Sequence, residues 1–228
     1  MRVAVTGTAN VGKTTFINDF INNWSGIYST PDVTYRNILV DKNLDHSKKT
    51  CKKTQQDILD FMVDQQMKYS REDCIIFDRC PIDNLVYSIH SYDKQSSDID
   101  EDFIEKCIPL VKESMRFLDI LFYIPYDENI IIENDGVRET DQEYIVEVDN
   151  ILRQIEHQSL QPSSVFFHTD DRPAIIKLTG ERKERIRQAS LYINDDGESY
   201  NEEDTDIDWE ELSKFGIEPT DVFPGGKL

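Results

Sequence analysis

The sequence predicts an α/β fold in which a doubly wound, mostly parallel sheet is flanked by helices. The first observation is an alternation along the chain, where short apolar runs are followed by longer stretches whose apolar residues recur at helical spacing. Such alternation is typical of parallel sheets covered by helices on both faces. The second observation is the pattern G-x-x-x-x-G-K-[ST]. Residues 7–14 match it as Gly-Thr-Ala-Asn-Val-Gly-Lys-Thr, between the first apolar run and the first helical stretch.

The first predicted strand covers residues 2–6, and the first helix runs from the glycine-rich loop to about residue 23. The glycines allow the backbone to wrap a polyphosphate with its N–H groups pointing at the anion. Lys13 is expected to reach the β- and γ-phosphates of ATP, and the Thr14 hydroxyl to bind Mg²⁺. The expected nucleotide-binding residues are Gly7, Thr8, Ala9, Asn10, Val11, Gly12, Lys13, Thr14 and Thr15. Strand, loop and helix in this order predict a P-loop NTPase fold with ATP and Mg²⁺ as cofactors.

Apolar patterns continue the prediction along the chain. A short second strand is expected at residues 26–32, whereas residues 33–40 are apolar but fit no single element type. Residues 74–78 form a continuous apolar run that ends in an acid, which is typical of a buried parallel strand. The predicted helices lie at residues 54–69, 81–91, 103–117, 142–158 and 181–192, and further strands at 120–124, 165–167 and 174–179.

Charge divides the chain into a body and a tail. The 228 residues suffice for one ordinary α/β domain, and their net charge is −20. Residues 194–228 hold 12 acidic residues against Lys214 and Lys227, so half of the net charge lies there. We therefore predict a domain at residues 1–193 and an acidic, flexible tail at residues 194–228. An acidic surface argues against broad binding to nucleic-acid phosphates.

Cysteine usage and hydropathy bear on where the protein works. The four cysteines are scattered without a C-x-x-C pair, so we expect reduced thiols. No apolar stretch approaches the roughly 18 residues of a membrane span. The first strand already begins at residue 2, so no signal peptide is expected. The sequence predicts a cytoplasmic protein without a membrane partner.

A second chemical motif follows the strand predicted at residues 74–78. There, Asp78 and Arg79 leave the strand end that faces the nucleotide. A carboxylate at this point can accept the proton of an attacking hydroxyl or hold Mg²⁺, and an arginine can clamp a phosphoryl oxygen. An ion pair that ties strand to helix is the alternative. Asp83 and Tyr87, one helical turn apart, are expected to line the acceptor pocket or to pack on the helix surface.

The stretch from Asp78 to Tyr87 resembles the D-R-x-P-x-D-x-x-x-Y pattern of small P-loop kinases. These kinases include the deoxynucleoside kinases and the nicotinamide riboside kinase-like, AAA_28-like ATP-binding proteins. The resemblance implies that Asp78 is the general base and that Arg79 contacts the acceptor or phosphate region. Cys80 departs from the pattern, because deoxynucleoside kinases have serine there. The size and motif plan are also similar to those of bacteriophage kinases that phosphorylate 5-hydroxymethyluracil within DNA.

P-loop kinases carry a mobile lid whose arginines close on the transferring phosphate, so we expect a helical lid in this fold. Arg138, which follows the strand predicted at residues 120–124, is the first lid candidate, and Arg153 is the second. Pairing of Arg138 with a neighbouring acid is the alternative. Thr140 or Asp141 is expected to cap the next helix.

Two further clusters are candidates for substrate binding. After the second predicted strand come Tyr28, Asp32, Tyr35 and Arg36, whose aromatic rings can stack on a base or pack in the core. The last predicted helix carries Arg182, Lys183, Arg185 and Arg187, which can meet a DNA backbone or pair with neighbouring acids.

Taken together, these residues predict an ATP- and Mg²⁺-dependent kinase that phosphorylates a hydroxyl or phosphate of a nucleoside or nucleotide. The first alternative keeps the chemistry but takes 5-hydroxymethyluracil within DNA as the acceptor. The second alternative is an NTP-dependent switch or regulatory ATPase. No N-K-x-D guanine motif is present, which argues against a GTPase switch.

Overall fold

A four-stranded parallel sheet forms the centre of the molecule. The computed structural model describes residues 1–42, 50–128, 140–200 and 213–214. The strands are β1 (Arg2–Thr6), β2 (Ile75–Asp78), β3 (Ile120–Tyr123) and β4 (Ala174–Lys177). Their order across the sheet is β2-β1-β3-β4, and every pairing is parallel. The predicted α/β fold with a doubly wound parallel sheet is therefore confirmed.

Helices cover both faces of the sheet. They are α1 (Lys13–Asn23), α2 (Tyr35–Asp41), α3 (Lys52–Lys68), α4 (Pro81–Asp93), α5 (Glu101–Met115), α6 (Gln142–Ser159) and α7 (Arg182–Ala189). One apolar core joins Val3, Val5 and Phe122 to α1 and α7. The other joins Ala4 and Phe77 to α3, α4, α5 and α6. Successive β1 residues thus point to opposite cores, which is why this strand is apolar at every position from Val3 to Val5.

The strand register brings the chemistry to one edge. Val5 of β1 lies beside Asp78 of β2, and Thr6 lies beside Tyr123 of β3. The phosphate loop leaves β1 at this same carboxyl edge and leads directly into α1. Parallel sheets bind ligands beyond this edge because every strand ends there.

Three predicted elements differ from the structure. Residues 26–32 form no strand, and only Ser29 makes an isolated bridge, to Ile75. Within the unassigned stretch 33–40, helix α2 begins where Thr34 and Asn37 form a capping box. No strand forms at residues 165–167, where Phe166 and Phe167 are buried within a loop.

The predicted boundary after residue 193 is also displaced. Residues 194–200 fold back on the domain, where the Trp24 indole donates to the Asn194 carbonyl at 2.8 Å. The Tyr28 hydroxyl donates to the Gly197 carbonyl at 2.7 Å. A Cβ at Gly197 would lie 2.5 Å from the Ile27 side chain, so this turn packs closely. Residues 194–200 therefore belong to the folded body rather than to a flexible tail.

Among the described residues, no helix is long and apolar enough to cross a membrane.

Candidate active site

The phosphate loop is held at its start by a close backbone approach. Gly7 has a φ of 145°, and a Cβ there would lie 2.4 Å from the Ile124 carbonyl oxygen. At the other end, Gly12 caps α1 with a φ of 89°. Both positions need glycine because other residues rarely adopt a positive φ. The loop thus places the N-terminus of α1, which attracts anions, at the sheet edge.

Lys13 and Thr14 differ in exposure. Lys13 is buried, and its ammonium donates to the carbonyls of Gly7 (2.9 Å) and Thr8 (2.5 Å). Burial and the neighbouring Arg79 cation lower the pKa of Lys13 well below its ordinary value. Thr14 is exposed and lines the cavity described below. A polyphosphate beside Lys13 would restore the counter-charge that this ammonium lacks.

Asp78 ends β2, next to the phosphate loop. Its Oδ2 accepts from the Arg36 guanidinium at 2.6 Å, and its side chain is 10% exposed. Its Oδ1 is buried and has no hydrogen-bond partner among the described residues. Burial raises the pKa of Asp78, but the cations Arg36, Lys13 and Arg79 outweigh burial and hold it below the ordinary value. Asp78 is therefore an ionised carboxylate with one free acceptor atom.

The guanidinium of Arg79, which was expected to clamp a phosphoryl oxygen, is bound to protein groups in this structure. Its guanidinium is buried and donates to Tyr35 Oη, the Gly7 carbonyl, Asp83 Oδ1 and Tyr87 Oη, at 3.2, 3.1, 2.6 and 3.1 Å. These four bonds use four of its five N–H groups. Its backbone adopts a φ of 80°, which turns the side chain back under the phosphate loop. Arg79 thus orients the loop and the pocket wall, and the ion pair between strand and helix is the arrangement observed.

Asp83 and Tyr87 hold Arg79 and also line the cavity. Asp83 is 1% exposed, and its second oxygen accepts from the Cys80 backbone N–H, which caps α4. Tyr87 lies with its ring nearly parallel to that of Tyr144, at 6.3 Å between centroids. Both residues therefore shape the wall of the cavity, and their contact with an acceptor stays a prediction.

A cavity of about 340 Å³ extends from the phosphate loop to the helices on one face of the sheet. At one end it is lined by Gly12, Lys13, Thr14, Thr15, Arg36 and Arg79. At the other end the lining is apolar, aromatic or amide, from Tyr35, Leu39, Gln55, Ile58, Met62, Asn84, Tyr87 and Tyr144. This division suits a ligand with a charged phosphate end and a largely apolar, planar end.

Two buried amides in this lining were missed by the sequence analysis. The Asn84 Nδ2 donates to the backbone carbonyl (3.0 Å) and to the side-chain oxygen (2.5 Å) of Gln55. The Gln55 amide donates in turn to Thr50 Oγ1 at 2.8 Å. This chain fixes the Asn84 amide, whose Oδ1 is buried without a partner among the described residues. Such an atom is costly unless a ligand N–H or O–H meets it.

Other candidate residues lie away from the cavity. Tyr28 is 3% exposed and packs on Phe20 in the core beneath α1, which is the packing alternative of the sequence prediction. Asp32 is exposed and does not line the cavity. Arg153 pairs with Asp149 at 2.6 Å and donates to the Tyr126 carbonyl, which anchors α6 near the end of β3. Arg138 lies outside the described residues, so its lid role stays a prediction.

The basic α7 is paired with its surroundings. Arg182 forms two bonds to Asp19, at 2.9 and 2.6 Å, and Arg187 pairs with Glu184. Arg185 donates to the Val11 carbonyl within the phosphate loop at 2.8 Å. Arg182 and Arg185 thus hold α7 against α1 and the phosphate loop, whereas the Arg187 pair lies within α7. The predicted capping of α6 is also observed, because Asp141 accepts from the N–H groups of Glu143 and Tyr144.

The residues of the site fit a magnesium ion. Magnesium prefers oxygen ligands and keeps several waters. The exposed Thr14 hydroxyl lies next to Lys13, and Asp78 has the unpartnered buried oxygen that can accept from a metal-bound water. When bound, the ion would neutralise charge on the polyphosphate.

A glycine-rich loop between a buried strand and a helix, at the carboxyl edge of a parallel sheet, defines a P-loop NTPase fold. The chain belongs to the AAA domain family AAA_28, whose model matches residues 2–162. No curated protein matches the sequence.

Solved structures with the same fold include kinases of nucleosides and nucleotides. NadR in complex with NR has a TM-score of 0.58 at 20% identity, with 84% of this chain and 51% of that chain covered. The chain thus spans about half the length of NadR. Deoxyadenosine kinase from M. mycoides, with dCMP and dCDP bound, has a TM-score of 0.59 at 18% identity, covering 83% and 96%. Thymidylate kinase from Candida albicans has a TM-score of 0.57 at 12% identity, covering 94% and 92%.

Proposed function

We propose that this protein is an ATP- and Mg²⁺-dependent kinase that transfers the γ-phosphoryl group of ATP to a hydroxyl of a nucleoside-type small molecule. The observation that carries the proposal is the continuous cavity that joins the phosphate loop to an apolar, amide-bearing pocket. Asp78 lies beside Val5 of β1 at the sheet edge where the phosphate loop begins, and its partner Arg36 lines the cavity. The solved structures with this fold are described as acting on or binding such compounds.

The chemistry assigns a role to each end of the cavity. The acceptor oxygen would form a bond to the γ-phosphorus as the bond to the β–γ bridging oxygen breaks and its electron pair leaves with ADP. Asp78 would accept a hydrogen bond from the acceptor hydroxyl through Oδ1 and take up its proton. Lys13 would neutralise phosphate charge, and the loop N–H groups would hold the polyphosphate.

A hydroxyl suits this site better than a phosphate as the acceptor. Among the described cavity-lining cations, Lys13 is held by the phosphate loop and Arg79 by four protein bonds, which leaves Arg36 alone to meet a phosphate. The carboxylates of Asp83, which lines the cavity, and of Asp78, at the sheet edge beside the phosphate loop, would repel a second phosphate. At the opposite end, Asn84 Oδ1 would accept an N–H from the planar part of the acceptor.

An acceptor panel with γ-labelled ATP and Mg²⁺ tests the proposal. It contains free nucleosides, nucleoside monophosphates, nicotinamide riboside, and DNA with and without 5-hydroxymethyluracil. We expect transfer to a free nucleoside or riboside. Transfer only to modified DNA would make the protein a nucleic-acid kinase, and hydrolysis without any transfer would point to a switch. No described arginine of α7 favours the DNA acceptor, because Arg182, Arg185 and Arg187 are all paired within the protein.

Variants of the two central residues test the mechanism. We expect Lys13→Ala and Asp78→Asn to lower kcat by about 100-fold or more, since each removes charge that acts in the transition state. Circular dichroism and thermal melts should show folded proteins. A folded Asp78→Asn enzyme with unchanged turnover would contradict the assignment of the base. Arg116→Ala, on the far end of α5 with the side chain 46% exposed, is the control.

A further inference from the structure

Arg36 is the half-exposed cation of the cavity. It lies in the first turn of α2, lines the cavity together with Lys13, Thr14 and Thr15, and has a side chain that is 45% exposed. Its described polar contact is one bond from Nη1 to Asp78 Oδ2, at 2.6 Å. This pairing occupies Oδ2 of Asp78, whereas Oδ1 has no partner among the described residues. Arg36 therefore contacts the carboxylate of Asp78 and also lines the cavity beside the phosphate loop.

The charges around Arg36 leave the site ready for an anion. Three cations, Lys13, Arg36 and Arg79, lie within electrostatic range of Asp78, and all but Arg36 are buried. The carboxylates in the cluster are Asp78 and Asp83, so the local charge is positive in a chain whose net charge is −20. Burial chiefly, then Arg79 and to a smaller extent Arg36, lower the pKa of Lys13, which shows that these cations crowd one another. A polyphosphate at the loop would relieve that repulsion.

A phosphoryl group is also a better hydrogen-bond partner for the Arg36 guanidinium than the single oxygen of Asp78. The single bond to Asp78 leaves the rest of the planar N–H fork of Arg36 without a described protein acceptor. A phosphoryl group offers three oxygens and can accept two parallel bonds from that fork. Lys13 and Arg79 have no comparable freedom, because carbonyls and side chains of the protein already fix them.

The helix that carries Arg36 is suited to a small displacement. Helix α2 has seven residues, and Leu39 is its buried residue. It packs on α3 through a small cluster with Ile58 and Met62, apart from the two main cores. A rotation of α2 would thus cost few buried contacts.

We infer that Arg36 is a catalytic residue that leaves Asp78 when ATP binds and contacts the transferring γ-phosphoryl group. This inference rests on the proposed kinase function. The exchange supplies positive charge where negative charge spreads in the transition state. It also frees Oδ2 of Asp78, so that both oxygens of this carboxylate are available on the acceptor side. It couples the loading of the phosphate site to the opening of the acceptor site.

Nucleotide binding tests the inference without an acceptor. Calorimetric titrations with AMP-PNP and with ADP, both with Mg²⁺, compare the wild type with Arg36→Ala, Arg36→Lys and the control Arg116→Ala. Arg116 matches Arg36 in exposure, at 46%, and in its 2.6 Å ion pair, here with Asp171. We expect Arg36→Ala to weaken AMP-PNP at least about tenfold and ADP less than about threefold, as expected for loss of a charge-assisted bond to the γ-phosphate. Arg36→Lys keeps the ion pair and the fold, and should still lose part of this preference for the triphosphate.

Turnover on the acceptor found in the panel supplies the second readout. Arg36→Ala should lower kcat by about 100-fold or more with little change in acceptor KM, and added guanidinium should restore part of the rate. An equal loss of affinity for both nucleotides in folded Arg36→Ala relative to the wild type, or a kcat that is unchanged or raised, would overturn the inference. If the wild type shows the Arg36-dependent preference for AMP-PNP but phosphorylates no acceptor, the proposed function fails while the contact of Arg36 with the γ-phosphate stands.

Discussion

Arg79 keeps a full positive charge in the interior, and Asp83 is the carboxylate that compensates it. The two form an ion pair of 2.6 Å with side chains 8% and 1% exposed. Removing one partner of a buried pair leaves the other charge uncompensated, which costs about 3–5 kcal/mol. Asp83→Ala also removes the oxygen that caps α4 at the Cys80 N–H. We expect this substitution to lower the free energy of unfolding by about 4 kcal/mol in urea titrations.

The matched control for this prediction is the surface pair of Asp102 and Lys106, with side chains 71% and 73% exposed. Asp102→Ala should leave the free energy of unfolding nearly unchanged, because exposed pairs are screened by water. A comparable loss in the two variants would mean that burial of the Arg79 pair does not determine its contribution.

At the scale of elements, the phosphate loop between β1 and α1 depends on the close backbone approach at Gly7. A Cβ at Gly7 would lie 2.4 Å from the Ile124 carbonyl oxygen, whereas at Gly26 it would meet nothing within 4 Å. Both residues have positive φ, at 145° and 82°, so both substitutions are strained but only one clashes. We expect Gly7→Ala to cost about 3 kcal/mol in stability and to weaken ATP binding. Gly26→Ala should cost about 1–2 kcal/mol and leave ATP binding unchanged, as measured by denaturation and calorimetry.

The positions of residues in continuous sequence motifs could be predicted, whereas contacts between separate helices could not. The phosphate loop, Asp78 and Arg79 lie where they were predicted, because parallel strands end at one edge and each motif is continuous in the chain. Gln55 and Asn84 could not be paired from the sequence, since isolated amides on two helices carry no periodic pattern. Tyr28 packs in the core, which is one of the two alternatives that the sequence left open, because an aromatic residue can serve in a core as well as in a binding site.

At the scale of the whole molecule, the fold closes through residues 194–200. This turn covers the aromatic core at the end of α1, where it satisfies the indole N–H of Trp24 and the hydroxyl of Tyr28. An antiparallel bridge between Ile193 and Ser199 fixes the turn. The acidic stretch is thus divided: its first residues stabilise the nucleotide-binding domain from the side opposite the acceptor cavity.

Two truncations separate this structural role from that of the remaining chain. A protein that ends after residue 200 keeps both bonds, and we expect its melting temperature and its kinase activity to match those of the full chain. A protein that ends after residue 193 loses both bonds, at about 0.5–1.5 kcal/mol each, and also exposes apolar surface of Trp24 and Tyr28 to water. For a chain of this size, a loss of about 3 kcal/mol lowers Tm by roughly 6–12 °C. Because Tyr28 packs on Phe20 of α1, the shorter protein should also bind ATP more weakly.

Equal melting temperatures for the two truncations would show that residues 194–200 do not complete the domain. Loss of ATP binding in the longer one would assign a catalytic or binding role to residues 201–228.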